Sequence, residues 1–380
     1  MALTGECKKV RFMHNNFIDA TTATLSASSQ LTGFEVSNLL NVSRTKLWKA
    51  IGNFQIHTGN NKLYADDGAP FDVTITSGSY SGSSLATEIQ SQLNATSSGW
   101  TVSYSTSTYL FSINRVAGFI IFSNQTNAIW DDIGFTGAVD IALTGSAINS
   151  DEIRIHNYEF IDIDLGSSVA SAEFIGFIGP LSQEISISSN AVVKVQADNV
   201  PIALDSTPLF DLTLTHNDRG YLEFFDAISD TAYRYWRVLI QDKTNGNGPQ
   251  SIAMGYLYLG DYLSFTSTNV ARGFSKNIVD PSTVQATPSG RRYFNKRSPY
   301  NQLSGLQIQL PNRAERLAFE QFSYDHGVTD PFFISLDPGS RISDELHELT
   351  YFVNFESLPN FGHRFIDYYD IQPFTVREVV

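Results

Sequence analysis

The sequence predicts a mainly β protein with α+β parts: a β-sandwich interrupted by a small α+β insert and followed by a C-terminal α+β domain. Three observations predict it. In residues 158–166, Ile161, Ile163 and Leu165 alternate with Asp162 and Asp164, the period-2 pattern of a strand with one buried and one wet face. Runs of similar weight return at 233–240 and 254–260, in a chain that is 42% hydrophobic and 13% aromatic but only 17% charged, a balance suited to pleated, half-buried surfaces. Finally, about a hundred residues with their own strand and helix patterning lie between an earlier piece, 23–48, and the 158–166 strand.

The bulk numbers exclude several function classes. A chain of 380 residues is long enough for two or three cores. Its net charge of −14 argues against a nucleic-acid-binding surface, which needs a basic face to displace phosphate counterions. The single cysteine, Cys7, excludes an intramolecular disulfide framework and a cysteine-based zinc site. The first residues carry no apolar core of a secretory signal, and runs such as 119–122 are far too short to span a bilayer. The expectation is a protein made in a reducing cytosol, with no membrane span.

Taken in order, residues 25–34 are small and polar, and are followed by Val36-Ser-Asn-Leu-Leu40 and Arg44-Thr-Lys-Leu-Trp48. This succession resembles the start of a discoidin-like (coagulation factor 5/8 C-type, galactose-binding-like) sandwich. There a small-residue strand precedes an Asn-Leu-Leu turn and a Trp that plugs the end of the fold. The expected continuation, an aromatic-flanked Asp-Leu-Gly strand, arrives only at 158–166. Within the gap, Phe71, Val73 and Ile75 alternate as a strand. Ser83 or Ser84 can cap a helix carrying Leu85, Ile89 and Leu93 on one face. Strands follow at 100–104, 109–113 and 118–122, with a closing helical turn at 127–135. This β-helix-β-β-β insert resembles a small domain of bacteriophage tail-tip and fibre proteins through Asn61 to Tyr64, Gly78 to Tyr80 and Ser84 to Gln90.

The host resumes with strands at 172–179, 184–188, 192–195 and 221–225. Then Tyr233-Arg-Tyr-Trp-Arg, an Asn-Gly-Asn-Gly turn at 245–248 and Leu259-Gly-Asp-Tyr-Leu263 resemble the phage-borne version of the discoidin-like module. The expected boundaries are 1–50 plus 151–262 for the sandwich, 51–150 for the insert, 263–303 for a basic linker or arm, and 304–380 for the C-terminal domain. In that last domain Leu306, Ile308 and Leu310 alternate. Asn312 with Glu315 forms a capping-box-like start to a helix over 313–326 that presents Ala314, Leu317, Ala318 and Phe322, with Gly327 at C′. Strands carrying Phe332, Ile334 and Leu336, then Leu349, Tyr351, Val353 and Phe355, complete it.

Motifs for chemistry are missing. No histidine pair has the i, i+4 spacing of a helical metal site, and the group Asp344, His347 and Glu348 reads as a solvated turn. No Gly-x-Ser-x-Gly elbow and no phosphate-cradling Gly-x-x-x-x-Gly-Lys loop occur, and the carboxylate pairs at 66–67, 131–132 and 162/164 read as solvated acids, so no enzyme, metal centre or cofactor is expected. The discoidin resemblance leaves room for a structural calcium ion held by loop oxygens, although no run of acids follows the EF-hand alternation. Trp48 and Trp100 are candidates for stacking on a sugar, set against the stronger tendency of large aromatics to fill β cores. The sharpest charge feature is the stretch 266–303, where Arg272, Lys276, Arg291, Arg292, Lys296 and Arg297 face a single acid, Asp280. On a chain of −14 it reads either as a solvated linker or as an arm docking on acidic surface elsewhere.

The resemblance implies a structural virion protein of a tailed bacteriophage, made in the host cytoplasm and built into the distal tail or baseplate as a symmetric oligomer. Its implied partners are copies of itself and other tail or baseplate proteins. The alternative is a receptor-binding or adhesion component gripping a host-surface glycan through the discoidin-like or inserted domain.

Overall fold

The computed structural model describes residues 10–43, 46–121, 125–136, 141–143, 147–169, 173–176, 187, 191–214, 222–224, 232–242, 252–265, 273–310, 312–336, 349–365 and 368–379. The 184–188 strand apart from Ile187, the 245–248 turn, Arg272, and the group Asp344, His347 and Glu348 lie outside the described residues. The described chain is mostly strand, in several open antiparallel sheets, with two α-helices, α1 (Gly82–Thr96) and α2 (Arg313–His326).

The alternation in 158–166 has the consequence its period demands. Glu159–Val169 lies inside a five-stranded sheet, flanked by Thr24–Ala27 and Tyr233–Gln241, with Val192–Asp198 and Phe210–Thr213 beyond. Ile163 pairs with Leu25 on one side and Trp236 on the other, and Ile161 with Ala27 and Val238. The inward set Ile161, Ile163, Leu165, Val195, Trp236 and Val238 packs on Trp48, Met254, Leu257 and Leu259. Trp48 and Ile161 therefore share one core, although about a hundred residues of chain separate them. Residues 54–135 have a separate core, in which α1 lays Leu85, Ile89 and Leu93 on Phe54, Trp100 and Phe111. The cap of α1 is Ser81 rather than Ser83 or Ser84: its hydroxyl accepts from the Ser84 amide at 3.2 Å, which places the latter two serines in the first turn.

The second large sheet has nine strands and changes the expected division of the chain. Arg11–Asn16 pairs on one edge with Tyr258–Leu263 and on the other with Phe332–Ser335, which leads on to Thr350–Phe355, Phe374–Glu378, Tyr300–Leu306 and Ser275–Val279. A boundary at 303/304 therefore does not hold, because the C-terminal strands extend the sheet begun by the N-terminal strand. One strand serves two cores along its length: Leu259 packs in the sandwich core, and Leu263, on the same face, packs against the core that holds Phe12, Phe319, Phe332 and Phe355. A register shift between Met13 and Asn15 brings the Asn15 carbonyl close to Gly260, where a Cβ would meet that oxygen at 1.8 Å, so only glycine fits.

Helix α2 follows its sequence signals at both ends. Asn312 accepts from the Glu315 amide at 2.8 Å, and Gly327 takes φ 56° at the C-terminal cap. Its buried face differs from the expected one. Phe319, Phe322 and Ser323 pack inward, while Ala314, Leu317 and Ala318 face solvent. Burying two phenylalanines against Phe12 and Phe332 removes more apolar area than burying two alanines and a leucine, so the aromatic face wins.

Candidate functional site

From residue 273 on, the basic stretch is largely paired strand. Ser275–Val279 pairs with Tyr300–Leu306 at the edge of the nine-stranded sheet, and the chain between them rises into a second hairpin, Thr283–Ala286 against Arg292–Asn295. Gly290, at φ 80°, closes its tip, where the Thr287 amide donates to the Arg291 carbonyl at 2.8 Å. At the root, Asp280 caps the Ser282 amide, and the Ser282 hydroxyl accepts from the Arg297 amide at 2.8 Å. The Ser282 hydroxyl and then the Ser282 amide hold the Asp280 carboxyl below its ordinary range, with Lys296 adding a smaller electrostatic contribution.

Every residue of both upper strands is exposed. Val284 stands directly opposite Phe294, with Ala286 and Arg292 on the same face, and Tyr293 occupies the other. Phe294 is 72% exposed, although an isolated two-stranded hairpin is marginal in water and exposed apolar patches mark interaction sites. Arg291 and Arg292 make no ion pair with a described residue. Below them, Lys296, Arg297 and Arg377 converge on a cleft of about 560 Å³ with Pro281, Tyr300 and Glu378. Glu378, the acid of that cleft, already accepts from the Asn301 side chain at 2.6 Å. Lys276 stands apart from this group, its ammonium 5.3 Å from the Tyr351 ring centre. Of the six candidate arm cations, the structure thus gathers Arg291, Arg292, Lys296 and Arg297 on the projecting hairpin and its root, ties Lys276 to the sheet, and leaves Arg272 outside the described residues.

The sugar-stacking candidates are corrected. Trp48 is fully buried and its Nε1 donates to the Ser29 carbonyl at 3.0 Å. Trp100 packs edge-on against Phe119 at 5.0 Å and is 3% exposed. Neither ring offers a face to a ligand, because each is buried in the hydrophobic core of its own unit.

The acids read as solvated are mostly engaged. Asp162 takes a two-pronged contact from Arg237 at 2.6 and 2.9 Å, Asp164 another from Arg234 at 2.7 and 2.9 Å, and Asp67 pairs with Arg115 at 2.9 Å. Sequence reasoning missed the first of these pairs because it depends on a cross-strand register, Asp162 opposite Arg237, that spacing alone does not reveal. With Thr24, Ser26, Tyr235, Pro201 and Ile202, Asp162 and Asp164 line a groove of about 200 Å³ on the outer face of the five-stranded sheet. The Thr58 hydroxyl of the insert donates to Asp205 at 2.6 Å, which ties the insert to the loop forming that groove's wall.

At the junction of insert and sandwich lies a buried polar network. Glu159 accepts from Ser28, from Ser29 at 2.9 Å and from the Asn53 amide at 3.1 Å, and burial pushes its carboxyl above the ordinary range against these bonds. Asn157 clamps both the amide and the carbonyl of Gln55, at 2.7 and 2.8 Å. Asn60 donates to the Tyr158 hydroxyl and to Asp132, and His57 meets the same hydroxyl at 3.0 Å. The network is inward and fully engaged, which makes it a fastening between two cores rather than a ligand site. Among the described residues, no three His, Cys, Asp or Glu side chains form a group able to hold a metal ion, so the calcium ion that the resemblance leaves room for finds no carboxylate set there. No helix of the described residues is long and apolar enough to cross a membrane. No family model matches this chain, and no curated protein matches it either.

Proposed function

We propose that this chain is a structural virion protein of a tailed bacteriophage, assembling at the distal tail or baseplate as a symmetric oligomer, with a discoidin-like sandwich as its body. The sequence resemblance of residues 10–50 and 150–262 supports the family, and one structural observation carries the assembly role. A hairpin bearing Phe294, Val284, Arg291 and Arg292 projects, with every residue of its two strands exposed, from a chain of net charge −14. A surface of that composition suits an acidic, partly apolar neighbour, and opposite potentials select one docking register. Closed symmetry then repeats the contact on every copy. No reaction is implied.

Reversing Arg291, Arg292, Lys296 and Arg297 to glutamate should dissociate the oligomer, and raising salt should weaken the wild-type oligomer in parallel. Sedimentation velocity at two ionic strengths checks this; oligomers unchanged by the reversal would remove the arm from assembly.

A second reading, glycan recognition, is favoured by the sheet-face groove. Its carboxylates, hydroxyls and Tyr235 ring are the groups that hold a sugar's hydroxyls and C–H face. On that reading Tyr235→Ala abolishes binding to host-surface glycans on an array, while Trp48 and Trp100 contribute only to folding.

A further inference from the structure

We infer that the outward face of α2 is the seat for the projecting hairpin of a second copy of this chain. The inference rests on the assembly reading above and names the surface at the other side of the contact.

Helix α2 has two apolar faces. One is buried through Phe319 and Phe322. The other carries Ala314, Leu317, Ala318 and Tyr324 at i, i+3, i+4 and i+10 on one side of a 3.6-residue helix, with the polar Gln321 among them donating to Asp325 at 2.7 Å. Val328, just beyond the last turn, extends the row. Leu317 is 45% exposed, Tyr324 69% and Val328 45%. A helix on the surface of a folded body needs one apolar stripe to hold it, and a second stripe facing water is the mark of a helix that is covered in its working state.

Complementarity in shape and charge favours this occupant. The hairpin presents Val284 and Phe294 side by side with Arg292 on one face, and Arg291 at its tip. These are an apolar pair and two cations that find no counterpart among the described residues of their own copy. Along α2 the charges are graded. Glu320 near the middle is neutralised by Arg316 at 2.9 Å, so it adds little. The C-terminal end carries Asp325 and Asp330 with no cation beside them on the helix other than the half-buried His326, whose protonation burial disfavours. The helix macrodipole places further negative potential at that same end. Phe294 and Val284 against Leu317, Tyr324 and Val328, with Arg291 and Arg292 reaching Asp325 and Asp330, satisfies both halves of the contact in one register.

The hairpin and the helix face are different surfaces, so two copies can exchange hairpins about a two-fold axis or pass them on from copy to copy. Each copy gives one and receives one, and in the second case the array closes into a ring when the rotation permits. Arginine and large aromatics at the centre of such an interface are the residue types that dominate binding energy.

The test uses the full chain in sedimentation velocity. A donor variant, Phe294→Asp, and two seat variants, Leu317→Asp and Tyr324→Asp, are each expected to weaken association roughly tenfold or more, as truncation of a central interface aromatic does. All three positions are exposed, and an unchanged thermal midpoint confirms folding. Mixing the donor variant with a seat variant is the decisive arm. Each mixed pair retains one intact hairpin and one intact seat, so the mixture should form heterodimers that cannot extend, while either variant alone stays monomeric. Charge exchange, Arg292→Glu combined with Asp325→Lys, should restore association lost in either single variant.

Disrupted assembly with the hairpin variant but not with the seat variants overturns the α2 seat and leaves the assembly reading standing. A wild-type chain that is monomeric at its highest soluble concentration overturns both.

Discussion

Replacing Trp48 by alanine is expected to lower unfolding free energy by about 3–5 kcal/mol, the range for truncating a buried tryptophan. The ring is wholly buried among Ile161, Ile163, Met254 and Leu259, where the five-stranded sheet meets the nine-stranded one, so its removal leaves a cavity that two anchored sheets cannot collapse to fill. Two polar consequences add to the lost packing. The Ser29 carbonyl loses its donor, and Ser29 is also the residue whose hydroxyl donates to Glu159 at 2.9 Å and accepts from the Ile51 amide at 3.1 Å. For a domain of ordinary stability the loss is a large fraction of the total. Urea denaturation measures it, and Trp48→Phe separates the terms, since it restores most of the volume but not the hydrogen bond. A loss under about 1 kcal/mol for the alanine variant would mean that the two sheets are not clamped through this ring.

The second large effect is a dependence of stability on pH centred on His156. This side chain is 2% exposed, its Nδ1 meets no hydrogen-bond partner, and its pKa is pushed down to about 4 by burial, with Arg154 acting in the same direction and Asp242 against it. The unfolded chain binds a proton near pH 6.5 that the folded chain refuses until about pH 4, so the unfolded state holds more protons between those values. The contribution is complete above pH 6.5 and is lost as pH falls toward 4. At its fullest it amounts to about 3 kcal/mol, the free energy equivalent of the displacement. Burial also lowers His14, His57 and His326, so they act with the same sign. Glu159 opposes them: its raised carboxyl stabilises the fold below its ordinary range, and that contribution is lost as pH rises through the folded value. The measurement that isolates His156 is therefore a difference. Urea midpoints at pH 4.5 and 7 should diverge less for His156→Gln than for the wild-type chain, and equal divergence would remove His156 as a source.

What the sequence made legible was periodicity and punctuation. Alternation in 158–166 placed a strand with Ile161 and Ile163 inward, and Asn312 with Gly327 marked both ends of α2, because these signals depend on neighbours a few residues away. Sheet membership was not legible. Arg11–Asn16 pairs with strands some 250 and 320 residues downstream, and nothing in its composition names those partners. The basic stretch read as a linker or arm because its upper strands are only four residues each and exposed on both faces, too short for alternation to stand out. For the candidate site, the cations were visible but the apolar pair Val284 and Phe294 was not, since only the hairpin register brings them together. The apolar row Ala314, Leu317 and Ala318 was legible as a helix face. It was assigned to the wrong side because a helix with two apolar faces gives no sign, in sequence alone, of which one the body claims.

The nine-stranded sheet also sets an order of events during synthesis. Its founding strand, Arg11–Asn16, leaves the ribosome early but cannot be paired until Tyr258–Leu263 and Phe332–Ser335 have followed. In that interval the guest region completes its own core from contacts within residues 54–149, and Asn157, just beyond them, clamps Gln55 at the other end. Folding is thus expected to proceed from the middle outward, with a slow closing step in which the earliest and latest segments zip together, as distant pairings are the costliest to bring about. Until that step the apolar edge carrying Phe12 and Met13 stands open, which makes the arrival of Tyr258–Leu263 and Phe332–Ser335 the moment on which productive folding turns.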